Sequence, residues 1–150
     1  MMFSRVNRTD PERIFVVMLN NEGASLAANS TCQLELASAS VDGTRVRQPD
    51  TSNLFAFVGI VDAAIADQAY GLVQIYGYRS TVTVFQTGTS IATGEVLVPV
   101  AGAGYMQSVA STVASSTTVT LQPIFAVLAE SVASSSASAT INAKAFIRAM

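Results

Sequence analysis

The sequence predicts an all-β fold: a compact antiparallel β-barrel or sandwich of short strands with an extended N-terminal arm. Three observations predict it. Short apolar segments alternate with turn signals from residue 12 to the C-terminus. The segments are rich in β-branched and aromatic residues, and several alternate apolar with polar side chains. Half of the 150 residues are hydrophobic and only 12% are charged, so one domain with a sizeable core is expected. A chain of this length buries about 68–70% of the surface it exposes when unfolded.

Residues 1–11 read as an arm, and residues 12–150 as a single barrel domain. The arm is polar and carries Arg5 and Arg8, and Asp10-Pro11 closes it with extended geometry. Arg13 to Leu19 is apolar on both faces, as in a strand covered on both sides. Asn20-Asn21-Glu22-Gly23 is a turn. Thr31 to Ala37 alternates, with Cys32, Leu34 and Leu36 predicted inside and Thr31, Gln33 and Glu35 outside. Asp42-Gly43 is a hairpin turn, since both residues tolerate positive φ. Gln48-Pro49-Asp50 interrupts the chain.

Leu54 to Val61 is the most apolar strand candidate, and 62–69 reads as a loop or one helical turn. Tyr70 to Tyr78 and Thr81 to Gln86 read as two strands, followed by a turn at Thr87-Gly88-Thr89. Glu95 to Val100 is short, and Pro99 limits it to an edge or a strand end. Gly102-Ala103-Gly104 is a turn. Phe125 to Ala129 reads as a buried strand. Ile141 to Arg148 alternates, with Ile141, Ala143, Ala145 and Ile147 on one face and Asn142, Lys144 and Arg148 opposite. The expected total is about eight to ten strands, as in small closed antiparallel folds. The alanine-rich tail has a helical alternative, which Ser134-Ser135-Ser136 and Thr140 oppose. The Ser/Thr/Ala runs 108–118 and 131–140 read either as solvated loops or as surfaces of close subunit approach.

The residue inventory argues against catalysis. There is no histidine, which excludes a Ser-His-Asp arrangement. Lys144, the only lysine, sits on an alternating strand and reads as a solvated residue. Cys32 is the only cysteine, so neither an internal disulfide nor a cysteine-rich zinc site is expected; it reads as core. Asp62 and Asp67 lie in an alanine-rich turn without surrounding aromatics, which disfavours a glycosidase-like pair. Gly102-Ala103-Gly104 lacks the lysine of a phosphate loop. No cofactor and no metal are expected. The net charge of −2 gives no basic face for nucleic acid. No apolar run reaches the roughly 20 residues of a membrane helix, and the N-terminus shows no secretory h-region. The sequons at Asn7 and Asn29 therefore read as chance.

With so little charge, the surface is expected to pack against other chains. Tyr70, Tyr76 and Tyr78 are the candidate self-association residues, with Tyr76 and Tyr78 on one strand face. Arg5, Arg8, Glu12 and Arg13 are the candidate arm contacts.

The segment order from Leu54 onward resembles the small decoration (cement) proteins of tailed-phage heads. The stretches that carry the resemblance are Phe57-Val58-Gly59-Ile60-Val61, Tyr70-Gly71-Leu72-Val73-Gln74-Ile75-Tyr76-Gly77 and Ile91-Ala92-Thr93-Gly94-Glu95-Val96-Leu97. Phe125-Ala126-Val127-Leu128-Ala129-Glu130 and Phe146-Ile147-Arg148-Ala149-Met150 complete it. The motifs consist of common residues, and only their shared order is distinctive. The resemblance implies a non-enzymatic β-barrel on the outer surface of the virion. Its partners would be the major capsid protein, gripped by the N-terminal arm, and further copies of itself. Homotrimers are the common state of such proteins, although dimers and monomers also occur. The alternatives are a fibre or tail-associated subunit for host attachment, a small hydrolase using Asp62, Asp67 or Glu130, and a secreted carbohydrate-binding module.

Overall fold

The computed structural model describes residues 11–36, 42–51, 54–109 and 124–149. All but the last residue of the predicted arm lies outside them, as does most of the 108–118 run. The fold is all-β, as predicted, and among the described residues nine strands join one sheet. The strands are β1 (Arg13–Asn20), β2 (Thr31–Leu34), β3 (Arg45–Arg47), β4 (Phe57–Val61) and β5 (Tyr70–Gln86). They continue with β6 (Val96–Pro99), β7 (Met106–Ser108), β8 (Ala126–Leu128) and β9 (Ala139–Arg148).

The pairing closes twice. The order β1-β3-β2-β4-β5 returns to β1, and β5-β7-β6-β8-β9 returns to β5. Each circuit is a five-strand barrel, and closure removes exposed sheet edges. The two barrels share β5: Tyr70 to Gly77 pairs with β1, and Gly77 to Gln86 runs beside β9.

The barrels repeat one topology. The β1–β3 and β5–β7 pairs are parallel. The antiparallel pairs β2–β3, β2–β4, β4–β5 and β1–β5 of the first barrel recur as β6–β7, β6–β8, β8–β9 and β5–β9 of the second. Isolated bridges recur too, Leu26 with Ile65 and Ile91 with Val132. In each bridge the two residues exchange backbone hydrogen bonds of 2.9–3.0 Å. A matching sequence signature leads into the first residue of each bridge: Gly23-Ala24-Ser25-Leu26-Ala27 and Gly88-Thr89-Ser90-Ile91-Ala92. Gly23 and Gly88 both take positive φ, as do Asn29 and Gly94 in the turns that follow.

Each barrel has its own core. The first packs Met18, Leu26, Cys32, Val46, Val61, Ile65, Val73 and Ile75. The second packs chiefly Val82, Val84, Ile91, Leu97, Met106, Leu128 and Ile147, joined by Phe57 and Ile60 from β4. Each fully buried aliphatic side chain contributes roughly 1.5–3 kcal/mol. Phe57 meets Phe125 at 5.0 Å between ring centroids within the second core, and partly buried Ala149 packs against both cores.

Several sequence expectations are corrected. Residues 70–78 and 81–86 form one continuous strand, which bends at a register shift between Arg79 and Val82 instead of breaking. Leu54–Ala56 is a 3₁₀ turn, and the strand starts only at Phe57. The alternation predicted for 31–37 fails because the β2–β4 register shifts between Cys32 and Gln33. Thr31, Cys32, Gln33 and Glu35 are all buried, while Leu36 is exposed. The helical alternative for the tail is excluded across the described strands β8 and β9, where the small buried Ala143 and Ala145 let β9 lie close on the core. The fold is also not purely antiparallel, because β3 and β7 each add a parallel pair.

Candidate interaction surface

The junction between the barrels is built around Arg79, which is only 7% exposed. Its Nε donates to Thr81 O at 2.9 Å, and Nη1 donates to Asp62 Oδ1 at 3.0 Å and Gln74 Oε1 at 3.1 Å. Nη2 donates to Asn29 Oδ1 at 2.8 Å, Val61 O at 3.0 Å and Asp62 O at 3.3 Å. A buried guanidinium is costly unless its donors are satisfied, and here every nitrogen finds an acceptor. Fully buried Gln74 extends the network, since its Nε2 donates to the carbonyls of Tyr76, Gly77 and Tyr78. The network ties the first barrel's turns to the start of the second.

Gly77 marks the middle of β5, with φ +99°. A Cβ there would lie 1.9 Å from the Glu12 carbonyl oxygen. The close approach of β1 to β5 therefore requires glycine at this position.

The outer walls of the barrels differ. In the first, Val17 pairs with Leu72 and Leu19 with Tyr70. Val17 is 62% exposed, Leu72 46% and Tyr70 69%. The prediction that β1 is covered on both faces is thus corrected: Met18 enters the core, but nothing within the described chain covers Val17. In the second barrel, the first strand of the unit runs Arg79 to Gln86, matching Arg13 to Asn20 residue for residue in length. The equivalent outward pairs are Thr83 with Asn142 and Phe85 with Thr140. Phe85 is only half-exposed and stacks on Tyr105 of the same chain at 5.1 Å and 21°.

The other candidate residues take varied places. Tyr70 stands on the first barrel's wall. Tyr76 and Tyr78 lie near the midpoint of β5 and are half-buried; Tyr76 meets Phe146 edge-on at 5.2 Å. The three tyrosines therefore do not form one exposed patch. Glu12 and Arg13 are exposed at the start of β1, and Arg5 and Arg8 lie outside the described residues. The wall residues Val17, Leu19 and Leu72 were not singled out from the sequence. The two-sided apolar pattern of β1 was the signal that could have found them.

The carboxylates considered for chemistry are engaged elsewhere. Asp62 pairs with Arg79, and Asp67 Oδ1 accepts from Gly23 N at 2.9 Å. Glu130 pairs with Lys144 at 2.8 Å; the Lys144 ammonium and backbone N–H hold the Glu130 carboxyl below its usual value. Burial pushes the Cys32 thiol up to about 12. A groove lined by Glu22, Ser25, Ser30, Gln48 and Gly104 holds polar groups that are likewise used: Glu22 accepts from Gln48 N, and Ser30 donates to Ala27 O. Among the described residues no group of three or more Asp, Glu or Cys could hold a metal ion. Neither a known protein-family model nor a curated protein matches the chain.

Proposed function

We propose that this chain is a structural, non-enzymatic decoration protein that binds the outer surface of an expanded tailed-phage head and stabilises it. The observation that carries the proposal is the exposed apolar wall of Val17, Leu72 and Tyr70, on the strand β1 into which the arginine-bearing N-terminal segment leads and its partner β5. Apolar side chains exposed together on an otherwise closed barrel mark a contact surface. Glu12 and Arg13, with Arg5 and Arg8 before them, supply charge for pairing with the major capsid protein. The resemblance in segment order supports the same reading.

The mechanism is linkage. A protein that binds the assembled shell better than its separated subunits stabilises the shell by mass action. Purified protein added to expanded heads that lack it is expected to bind in many copies and raise the shell melting temperature. Absence of binding, or binding without any rise, would defeat the proposal. A few copies confined to one vertex or the tail would favour a fibre or host-attachment subunit instead.

A further inference from the structure

We infer that the outer wall of the first barrel pairs with the same wall of a second copy, about a two-fold axis perpendicular to β1. This deepens the decoration reading by naming the partner of its apolar wall, and the self-association part of that reading is what it rests on. The first support is the contrast within the chain. The second barrel repeats the strand pairing yet places Thr83, Asn142 and Thr140 at the equivalent outward positions and covers Phe85 with Tyr105. The scaffold therefore does not itself require apolar side chains there. The first barrel carries Val17, Tyr70 and Leu72 exposed on its wall, while Leu19, paired with Tyr70, is half-buried.

The second support is charge. Arg13 stands at one end of the wall, where it pairs in register with Gly77. Asp67 lies just before Tyr70 at the other end. Among the described residues neither takes part in an ion pair. Six residues of extended strand, roughly 20 Å, separate Arg13 from Leu19 at that end. Two walls stacked with β1 running in opposite directions set Arg13 of each copy over Asp67 of the other. Stacking with β1 parallel would set arginine over arginine, which is repulsive. Packed sheets lie about 10 Å apart, within reach of an arginine side chain.

The third support is size. The exposed parts of Val17, Leu72 and Tyr70 amount to on the order of 300 Å², a typical functional patch and less than half of the roughly 800 Å² per partner in a standard interface. The contact is therefore a modest one that multiplies in a lattice of copies.

Sedimentation equilibrium of the full chain up to about 100 μM tests this. The expected result is a monomer–dimer equilibrium. Val17→Thr with Leu72→Asn should weaken it at least tenfold while leaving the melting temperature within a few degrees. Arg13→Glu alone should weaken it, and Arg13→Glu combined with Asp67→Lys should restore it. A monomer at all concentrations, a trimer, or a dimer indifferent to these changes would overturn the inference. Head binding by the unaltered protein is scored separately: binding without dimers sinks only the two-fold contact, and dimers without binding sink only the decoration reading.

Discussion

The two barrels share strand order, paired bridges and turn geometry, yet they treat their first strands in opposite ways. In the first barrel the opening strand, Arg13 to Asn20, leaves its arginine in solvent and Val17 exposed beside Leu72. In the second the corresponding strand, Arg79 to Gln86, buries its arginine and turns mostly threonine outward, with Phe85 covered by Tyr105. One topology thus supports two surface solutions. The second barrel satisfies its opening strand within the chain. The first leaves Arg13 and the apolar side chains of Val17, Leu72 and Tyr70 exposed, and that difference underlies the proposed contact surface.

The largest way to break the comparison is at the shared strand. Gly77→Val places a branched side chain where even a Cβ would meet Glu12 O at 1.9 Å, on a residue with φ +99°. A loss of roughly 4 kcal/mol or more is expected in urea unfolding. Gly23→Ala is the control, since its Cβ meets nothing within 4 Å. It should cost only about 1–2 kcal/mol for the left-handed backbone. Equal losses at the two sites would show that β1 does not approach β5 as described.

Arg79→Met removes the buried clasp and strands Asn29 Oδ1 and Gln74 Oε1. A destabilisation of about 3–5 kcal/mol is expected. Arg13→Met, at the equivalent position but exposed, should stay within about 0.5 kcal/mol. A similar loss for both would abolish the asymmetry between the opening strands. A third variant reverses the walls. Thr83→Val with Asn142→Leu gives the second barrel an apolar wall, and light scattering should then detect species larger than those of the unaltered protein. No change in mass would mean that an apolar wall on this scaffold does not suffice for association.

The smallest expected effect is electrostatic. Glu130 titrates below its usual value because Lys144 donates to it, so the folded state holds its proton less tightly than the unfolded state. The pair's contribution is fully present above the unfolded carboxylate value of about 4.3 and is lost as pH falls through the depressed native value. Both groups are exposed, so the effect is slight. Glu130→Gln should flatten the acid limb of a stability–pH curve a little, and an unchanged limb would remove the pair from the account.

Much of the fold was legible because long strands carry a long pattern. β1 follows from its continuous apolar run, β9 from its alternation, and β5 from its β-branched and aromatic content, although Ser80 and the bend beside Arg79 made it read as two strands. β3 and β7 were not legible. Arg45-Val46-Arg47 and Met106-Gln107-Ser108 are too short for any period to show, and parallel pairing with β1 and β5 holds them in place. The doubling of the barrel was hidden for a related reason. Outside the Gly-x-Ser-Leu/Ile-Ala signature few equivalent positions keep their residue type, and some, such as Cys32 and Leu97, share only their burial. The Tyr70 side of the candidate surface was legible from composition. Val17 and Leu72 were not, because an apolar strand on a closed barrel reads like one buried on both faces until its neighbours are known.

Hydroxyl-radical footprinting of the protein, free and bound to expanded heads, tests the central claim most directly. Val17, Tyr70 and Leu72 should become protected on assembly, while the wall carrying Thr83, Asn142 and Lys144 keeps its reactivity. Protection of that second wall, with the first still reactive, would contradict the account.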